Sequence, residues 1–237
     1  MPRTIGTLAE KSLHAALKAS YARPDDRLEC ELDGYIIDIL RPVDDQGGSY
    51  QCIEIQTRSL AKMKPKLAAL LDRHPARVVY PIARERYVVR VDRDGAISSR
   101  RKSPRRGTVY HLFPELVSFP AWVQHPNFSL EVPLIREEEV WVDDGRGSWR
   151  RKHWSIHDRR LLDVVQVTTL ANTDDFVALL PPALPPTFDS RELADAIRQP
   201  RYIAQKMAYC LREMGVLQIT GKRGNALLYA HSDHALP

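Results

Sequence analysis

The sequence predicts an α/β (α+β) fold in which a mixed β-sheet is flanked by helices and followed by a C-terminal helix-turn-helix with a β-hairpin. Short segments that alternate apolar and polar residues are typical of strands, and apolar residues at helical spacing separate them. The order strand, helix, strand over residues 49–83 predicts a parallel pair joined by a crossover helix. The chain has 237 residues and is 43% hydrophobic, which excludes a disordered protein and suffices for a buried core.

The first half of the chain predicts a helix, a strand meander and a crossover. Apolar residues at helical spacing predict a helix from about residue 7 to 21. Residues 27–32 and 35–40 predict two antiparallel strands, because Asp33-Gly34 between them favours a tight hairpin turn. The same periodicities predict four further elements, namely a strand at 49–57, a helix at 59–74 that Pro65 kinks or restarts, and strands at 76–83 and 85–91.

The second half of the chain has weaker patterns until residue 187. Residues 98–107 carry five positive charges without apolar periodicity, which predicts an exposed basic loop or linker. A hairpin is predicted around Asp144-Gly145, and the proline tract 181–186 is typical of a stiff connector. Two helices and a hairpin with a Gly-Lys-Arg-Gly tip follow, and this arrangement resembles a winged helix-turn-helix.

Composition predicts the domain organisation and limits the class of protein. We expect one domain at 1–97, a connecting region with basic loop, hairpin and proline-rich linker at 98–186, and a winged-helix-like domain at 187–237. Three distant cysteines argue against a disulfide framework or a zinc ribbon. The sequence lacks an apolar run of about 18 residues and a signal-peptide pattern, so we expect a cytoplasmic protein without a membrane partner.

Charge is distributed unevenly along the chain. The formal net charge is +5, yet residues 57–112 hold 15 basic and 4 acidic residues, whereas residues 1–56 hold 6 basic and 10 acidic ones. A polyanion held by the basic segment, together with a divalent cation held by the acidic one, explains this division. A solvated charged surface is the alternative.

Two acids within strands and one acid on a helix form a candidate metal site. Asp38 and Glu54 each lie among apolar residues of a strand, where a carboxylate is costly unless a bound cation or a similar partner compensates it. Glu10 lies three residues before Leu13, at the edge of the apolar face of the first helix. Two alternatives stay open: Glu10 also completes a capping box that begins at Thr7, and both strand acids are compatible with water-facing positions.

The order of helix Glu10, strand Asp38 and strand Glu54-Ile55-Gln56 resembles the PD-(D/E)XK (restriction-endonuclease-like) nuclease superfamily over residues 5–92. The resemblance implies that Asp38 and Glu54 hold Mg²⁺ (or Mn²⁺) and that Glu10 supports them. Gln56 stands where the family has the lysine that activates the attacking water, making this a Glu-x-Gln variant. Glutamine is neither a cation nor a base, although its amide can orient a water.

A lysine of the crossover helix is the expected replacement for the missing motif lysine. Lys62 is the first choice and Lys66 the second. The plainer interpretation of these lysines, and of Lys64 between them, is a solvated helix face.

The function predicted first is a Mg²⁺-dependent DNA endonuclease that hydrolyses phosphodiester bonds while the winged-helix-like module assists DNA binding. The alternatives are a non-catalytic DNA-binding or assembly protein on a degenerate nuclease fold and a winged-helix transcriptional regulator. A homodimer is compatible with each of them. The predicted DNA contacts of the C-terminal module are Arg201, Gln205, Lys206, Lys222 and Arg223.

Overall fold

A helix and a hairpin begin the part of the chain that the computed structural model describes, which comprises residues 12–43, 48–92, 96–145, 147, 149 and 154–232. Helix α1 spans Ser12–Tyr21, and the antiparallel strands β1 and β2 span Arg27–Leu32 and Tyr35–Pro42. Asp33 and Gly34 have φ angles of 52° and 80°, as a tight hairpin turn requires. The predicted hairpin is therefore confirmed, whereas Glu10 and the start of the predicted helix lie outside the described residues.

The predicted crossover is also confirmed. Strand β3 (Tyr50–Ile55) leads through a 3₁₀ turn (Leu60–Met63) into helix α2 (Lys64–Leu70) and then into strand β4 (Ala76–Val79), which is parallel to β3. Pro65 lies in the first turn of α2, where its missing N–H leaves no intrahelical hydrogen bond unmade. Pro65 therefore begins the helix rather than kinking it.

The basic segment is partly a strand, which corrects the predicted loop at 98–107. Strand β5 (Ile82–Val91) pairs antiparallel with β6 (Ile97–Lys102). All six side chains of β6 are exposed, so the segment has no apolar alternation that could have indicated a strand. Backbone pairing holds β6 in place, and the Arg100 guanidinium lies 4.2 Å from the ring centre of Tyr87.

The predicted hairpin at Asp144-Gly145 joins the two longest strands. Strand β7 (Phe128–Val142) pairs antiparallel with β8 (Ser155–Leu170) and parallel with both β4 and β5. The sheet order is β1-β2-β3-β4-β7-β5-β6, with β8 also on β7. Region 98–186 therefore supplies a central strand, and the predicted α/β class with a mixed sheet and flanking helices is confirmed. Short helical segments precede β7 and follow β8 in the chain: a 3₁₀ turn at Val109–Leu112, α3 at Phe113–Leu116, a 3₁₀ turn at Pro120–Gln124 and α4 at Thr173–Val177.

The C-terminal module has the predicted element order. Helices α5 (Ser190–Ile197) and α6 (Arg201–Glu213) precede the hairpin of β9 (Leu217–Arg223) and β10 (Ala226–His231). Its buried residues join those of α2 and α3 in one hydrophobic cluster. The name winged helix and the three domain boundaries stay predictions. No helix in the described ranges is long and apolar enough to cross a membrane.

We expect Asp189→Ala to lower the free energy of unfolding by about 1 kcal/mol, because Asp189 caps α5. Its Oδ1 accepts hydrogen bonds from the N–H groups of Arg191 (2.6 Å) and Glu192 (3.0 Å). The Glu192 contact holds the pKa of Asp189 below its ordinary value, so the cap stabilises at neutral pH and is lost as the pH falls through the folded-state pKa. Urea unfolding at neutral and acidic pH measures this. Asp195→Ala, an exposed change later in the same helix, is the control, and an equal loss in both variants would contradict the cap.

Candidate active site

Strands β2 and β3 separate at the two predicted metal ligands. Their pairing register runs from Pro42↔Tyr50 to Ile39↔Ile53. Beyond it, Asp38 Oδ2 accepts a hydrogen bond from the Ile55 N–H at 2.8 Å, and the Asp38 N–H donates to Glu54 Oε1 at 3.4 Å. Since backbone groups inside a sheet need partners, the two carboxylates replace the missing ladder bonds. The structure thus brings Asp38 and Glu54 together.

Both carboxylates are withdrawn from water. Glu54 is 5% exposed, and the Asp38 side chain is 20% exposed. The alternative that both acids face water is therefore wrong for Glu54, which is buried. A buried carboxylate needs a compensating partner, and the neighbouring helices supply one to each acid.

Lys66 is the partner of Glu54. Its Nζ lies 2.5 Å from Glu54 Oε1 and also 2.5 Å from the Ile36 carbonyl oxygen. Lys66 occupies the first turn of α2, and its side chain is 15% exposed. Lys62 lies on the preceding 3₁₀ turn with an exposed side chain, and the described residues include no contact between it and either carboxylate. The structure therefore places the second-choice lysine at the site.

His14 is the partner of Asp38 and was not predicted. Helix α1 buries Leu13 and Leu17 against the sheet, which brings His14 Nε2 to 3.2 Å from Asp38 Oδ2. His14 follows Glu10 by four residues, a spacing that would put the two positions on one face of the helix predicted over residues 7–21. The spacing of four residues could have indicated His14 as a site residue, because a helix face that presents Glu10 to the site also presents residue 14.

Gln56 is used locally. Its Oε1 accepts the Arg58 N–H at 3.1 Å, within the turn that follows β3. The residue at the family's lysine position thus holds the backbone after the strand, while the cation comes from α2.

The two carboxyl groups differ in their proton affinity. Burial raises the pKa of Glu54 to about 7, with the Lys66 charge opposing this change and the Asp38 charge adding to it. Burial also acts to raise the pKa of Asp38, but hydrogen bonds from His14 and the Ile55 N–H, with the charges of His14 and Lys66, hold it below its ordinary value. Asp38 is therefore the stronger acid of the pair.

The donor set fits a magnesium ion. Mg²⁺ is commonly bound through one or two carboxylates, with water and substrate phosphate completing its octahedron. Within the described ranges, the hydrogen bonds and ion pairs given above for the two acids use Asp38 Oδ2 and Glu54 Oε1. No three His, Cys, Asp or Glu side chains among the described residues form a metal-binding group.

Comparison with known proteins identifies a family. A model described as a domain of unknown function, DUF8091, matches residues 11–171. The chain belongs to the DUF8091 family. The DUF8091 region contains α1 and all eight strands of the large sheet. It also contains the four site residues His14, Asp38, Glu54 and Lys66, whereas the C-terminal helices and hairpin follow it.

A relative extends over both parts of the chain. The DUF8091 protein described here is 32% identical over 228 residues to an uncharacterized protein of Treponema pallidum (strain Nichols), and the match covers 95% of this chain and 87% of the relative. No solved structure matches the chain.

The predicted DNA contacts beyond the DUF8091 region are partly occupied within the module itself. Arg223 forms an ion pair with Glu192 (3.0 Å), and Arg201 Nε donates to Ser190 Oγ (3.1 Å). The remaining predicted contacts are exposed, and they are Gln205, Lys206 and Lys222. Among the residues that the structure describes, three of the five predicted side chains therefore have no such contact.

Proposed function

We propose that this protein is a Mg²⁺-dependent DNA endonuclease of the PD-(D/E)XK type. The observation that supports the proposal most is the meeting of Asp38, Glu54 and Lys66 where β2 and β3 separate. Two carboxylates and one lysine are the groups that this nuclease chemistry requires. They come from three separate elements, so sequence proximity does not explain their meeting.

In the proposed reaction, Asp38 and Glu54 would hold the metal ion. A bound Mg²⁺ supplies an activated water and polarises the phosphate. Lys66 places a positive charge beside Glu54, where it stabilises negative charge that develops on the attacked phosphate. His14 fixes the orientation of Asp38 through its 3.2 Å contact.

A non-catalytic DNA-binding or assembly protein is the second candidate, and one observation favours it. The same carboxylates close the gap between β2 and β3 by accepting backbone N–H groups, which is a structural role that needs no metal. In either case we propose a reducing, cytoplasmic location, since Cys30, Cys52 and Cys210 are free thiols.

Nicking of supercoiled plasmid with Mg²⁺ or Mn²⁺ tests the proposal. We expect Asp38→Asn and Glu54→Gln each to reduce the nicking rate about 100-fold or more, because each removes one carboxylate charge from the metal set. Low salt keeps weak DNA binding intact. Glu31→Gln, which changes an exposed acid on the adjacent strand β1, is the control and is expected to nick as the wild type does. DNA binding without nicking in either metal would favour the non-catalytic candidate instead.

A further inference from the structure

Two adjoining cavities form a groove between the sheet, the basic segment and α6. Their volumes are about 380 and 350 Å³, and both are lined by Arg86 and His111. Arg105, Arg106 and Tyr202 line the first cavity, and Arg159 lines the second. We call this feature the arginine groove.

The floor of the arginine groove is a fixed ion-pair network. Glu137 is fully buried and accepts Arg86 Nε at 2.6 Å and the Arg159 guanidinium at 2.6 Å. Arg159 also donates to the Thr57 carbonyl oxygen at 3.1 Å. Because Thr57 lines the second cavity and follows Glu54 by three residues, the groove extends to the end of the strand that carries the candidate site.

The rim of the arginine groove is a loop held at both ends. The Ser103 N–H donates to the Arg86 carbonyl at 2.7 Å, and the Gly107 N–H donates to the Ala83 carbonyl at 2.9 Å. A Cβ at Gly107 would lie 2.5 Å from the Ala83 oxygen, so only glycine permits this approach. The loop therefore presents its two arginines from a defined position.

Arg105 and Arg106 are free to bind an external anion. Both are exposed, and in the described part of the chain neither guanidinium has a carboxylate within ion-pair distance, although the charge of Arg106 reaches Glu85. Adjacent guanidiniums suit phosphate oxygens, which accept two parallel hydrogen bonds from each. The carboxylate that lines the second cavity is that of Glu139, and it is paired with Arg86 Nη1 at 3.1 Å.

The opposite wall carries an exposed aromatic ring. Tyr202 lies on the first turn of α6 and is 55% exposed. An aromatic ring beside arginines is the pattern of sites that stack a base and bind its phosphates. Bases in a duplex are already stacked on their neighbours, so the ring favours an unpaired strand.

We propose that the arginine groove binds single-stranded DNA, with backbone phosphates at Arg105 and Arg106 and a base stacked on Tyr202. The choice of DNA rests on the proposed function, but binding in the groove does not depend on hydrolysis. The groove would hold an unpaired strand whose continuation reaches the strand end beside Glu54.

Fluorescence anisotropy with a labelled oligothymidine in EDTA tests this proposal without cleavage. We expect Arg105→Gln/Arg106→Gln to weaken binding about 10-fold or more and to reduce the slope of log K against log salt by about 1.4, since each phosphate contact on a single strand contributes about 0.7. Tyr202→Leu is expected to weaken binding about 10-fold. The charge-matched control is Arg191→Gln/Arg198→Gln, which changes two exposed arginines in and just after α5 that are not among the predicted DNA contacts, and it is expected to bind within about twofold of the wild type.

Three results would overturn the proposal. They are groove variants that bind as the wild type does, an Arg191→Gln/Arg198→Gln variant that loses as much affinity as the groove variant, and an equal loss for duplex DNA. Binding in EDTA and plasmid nicking are separate measurements. Loss of binding by the groove variants of a protein that never nicks DNA would sustain the groove and reject the nuclease, whereas unchanged binding in a protein that nicks would do the reverse.

Discussion

Lys66→Ala is expected to reduce plasmid nicking about 100-fold or more while DNA binding is retained. Lys66 supplies the ammonium group 2.5 Å from Glu54, and removal of a group that assists proton or charge transfer at a reacting centre costs about 10²–10⁴ in rate. Single-turnover nicking measures the effect, circular dichroism reports the fold, and anisotropy reports binding. Lys66→Arg retains the charge but not the compact ammonium, so we expect partial activity from it.

The neighbouring lysines provide matched controls for this result. Lys62 and Lys64 are exposed, and they lie on the 3₁₀ turn and at the start of α2 respectively. Lys62→Ala and Lys64→Ala are expected to nick within about twofold of the wild type. Loss of nicking in Lys62→Ala together with normal nicking in Lys66→Ala would reject the assignment of Lys66.

Glu137→Gln is expected to lower the free energy of unfolding by about 3–5 kcal/mol. Glu137 is fully buried on β7 and is the shared partner of Arg86 and Arg159. The substitution preserves its shape but leaves the partly buried Arg159 guanidinium without its carboxylate and Arg86 with Glu139 alone. Urea unfolding measures the loss.

The adjacent residue tests whether burial is the reason. Glu138 pairs with Arg100 and Arg160, whose side chains are about half exposed, so Glu138→Gln is expected to cost no more than about 1 kcal/mol. Similar losses of unfolding free energy in the two variants would show that the buried ion pairs contribute no more to stability than the exposed ones. If Glu137→Gln lowers the free energy of unfolding only slightly, water compensates the guanidiniums of Arg86 and Arg159.

The locally determined parts of the fold could be predicted from sequence. Asp33-Gly34 specifies the first hairpin, because both residues tolerate positive φ, and Pro65 marks the start of α2. The capping aspartate and the glycine at 215 define the boundaries of the C-terminal helices in the same way. Each of these signals lies within a few residues of the feature it determines.

Features that depend on distant partners could not be predicted. Strand β6 has no buried face, so only its pairing with β5 makes it a strand. The choice between Lys62 and Lys66 depends on the 3₁₀ turn that precedes α2 and changes the direction of the side chains. The floor of the arginine groove joins β5, β7 and β8, and no local pattern connects Arg86, Glu137 and Arg159.

The three-way pairing of β7 determines the order in which the sheet can form during synthesis. The β1–β2 hairpin and the β3–β4 crossover have their partners as soon as they emerge, but one edge of β4 stays open until Phe128 pairs with Ala76. Non-local pairing of this kind slows folding, and an open strand edge is prone to aggregate. A nascent chain that stops before β7 therefore contains Asp38 and Glu54 on the paired strands β2 and β3, but it lacks the strand that covers the open edge of β4.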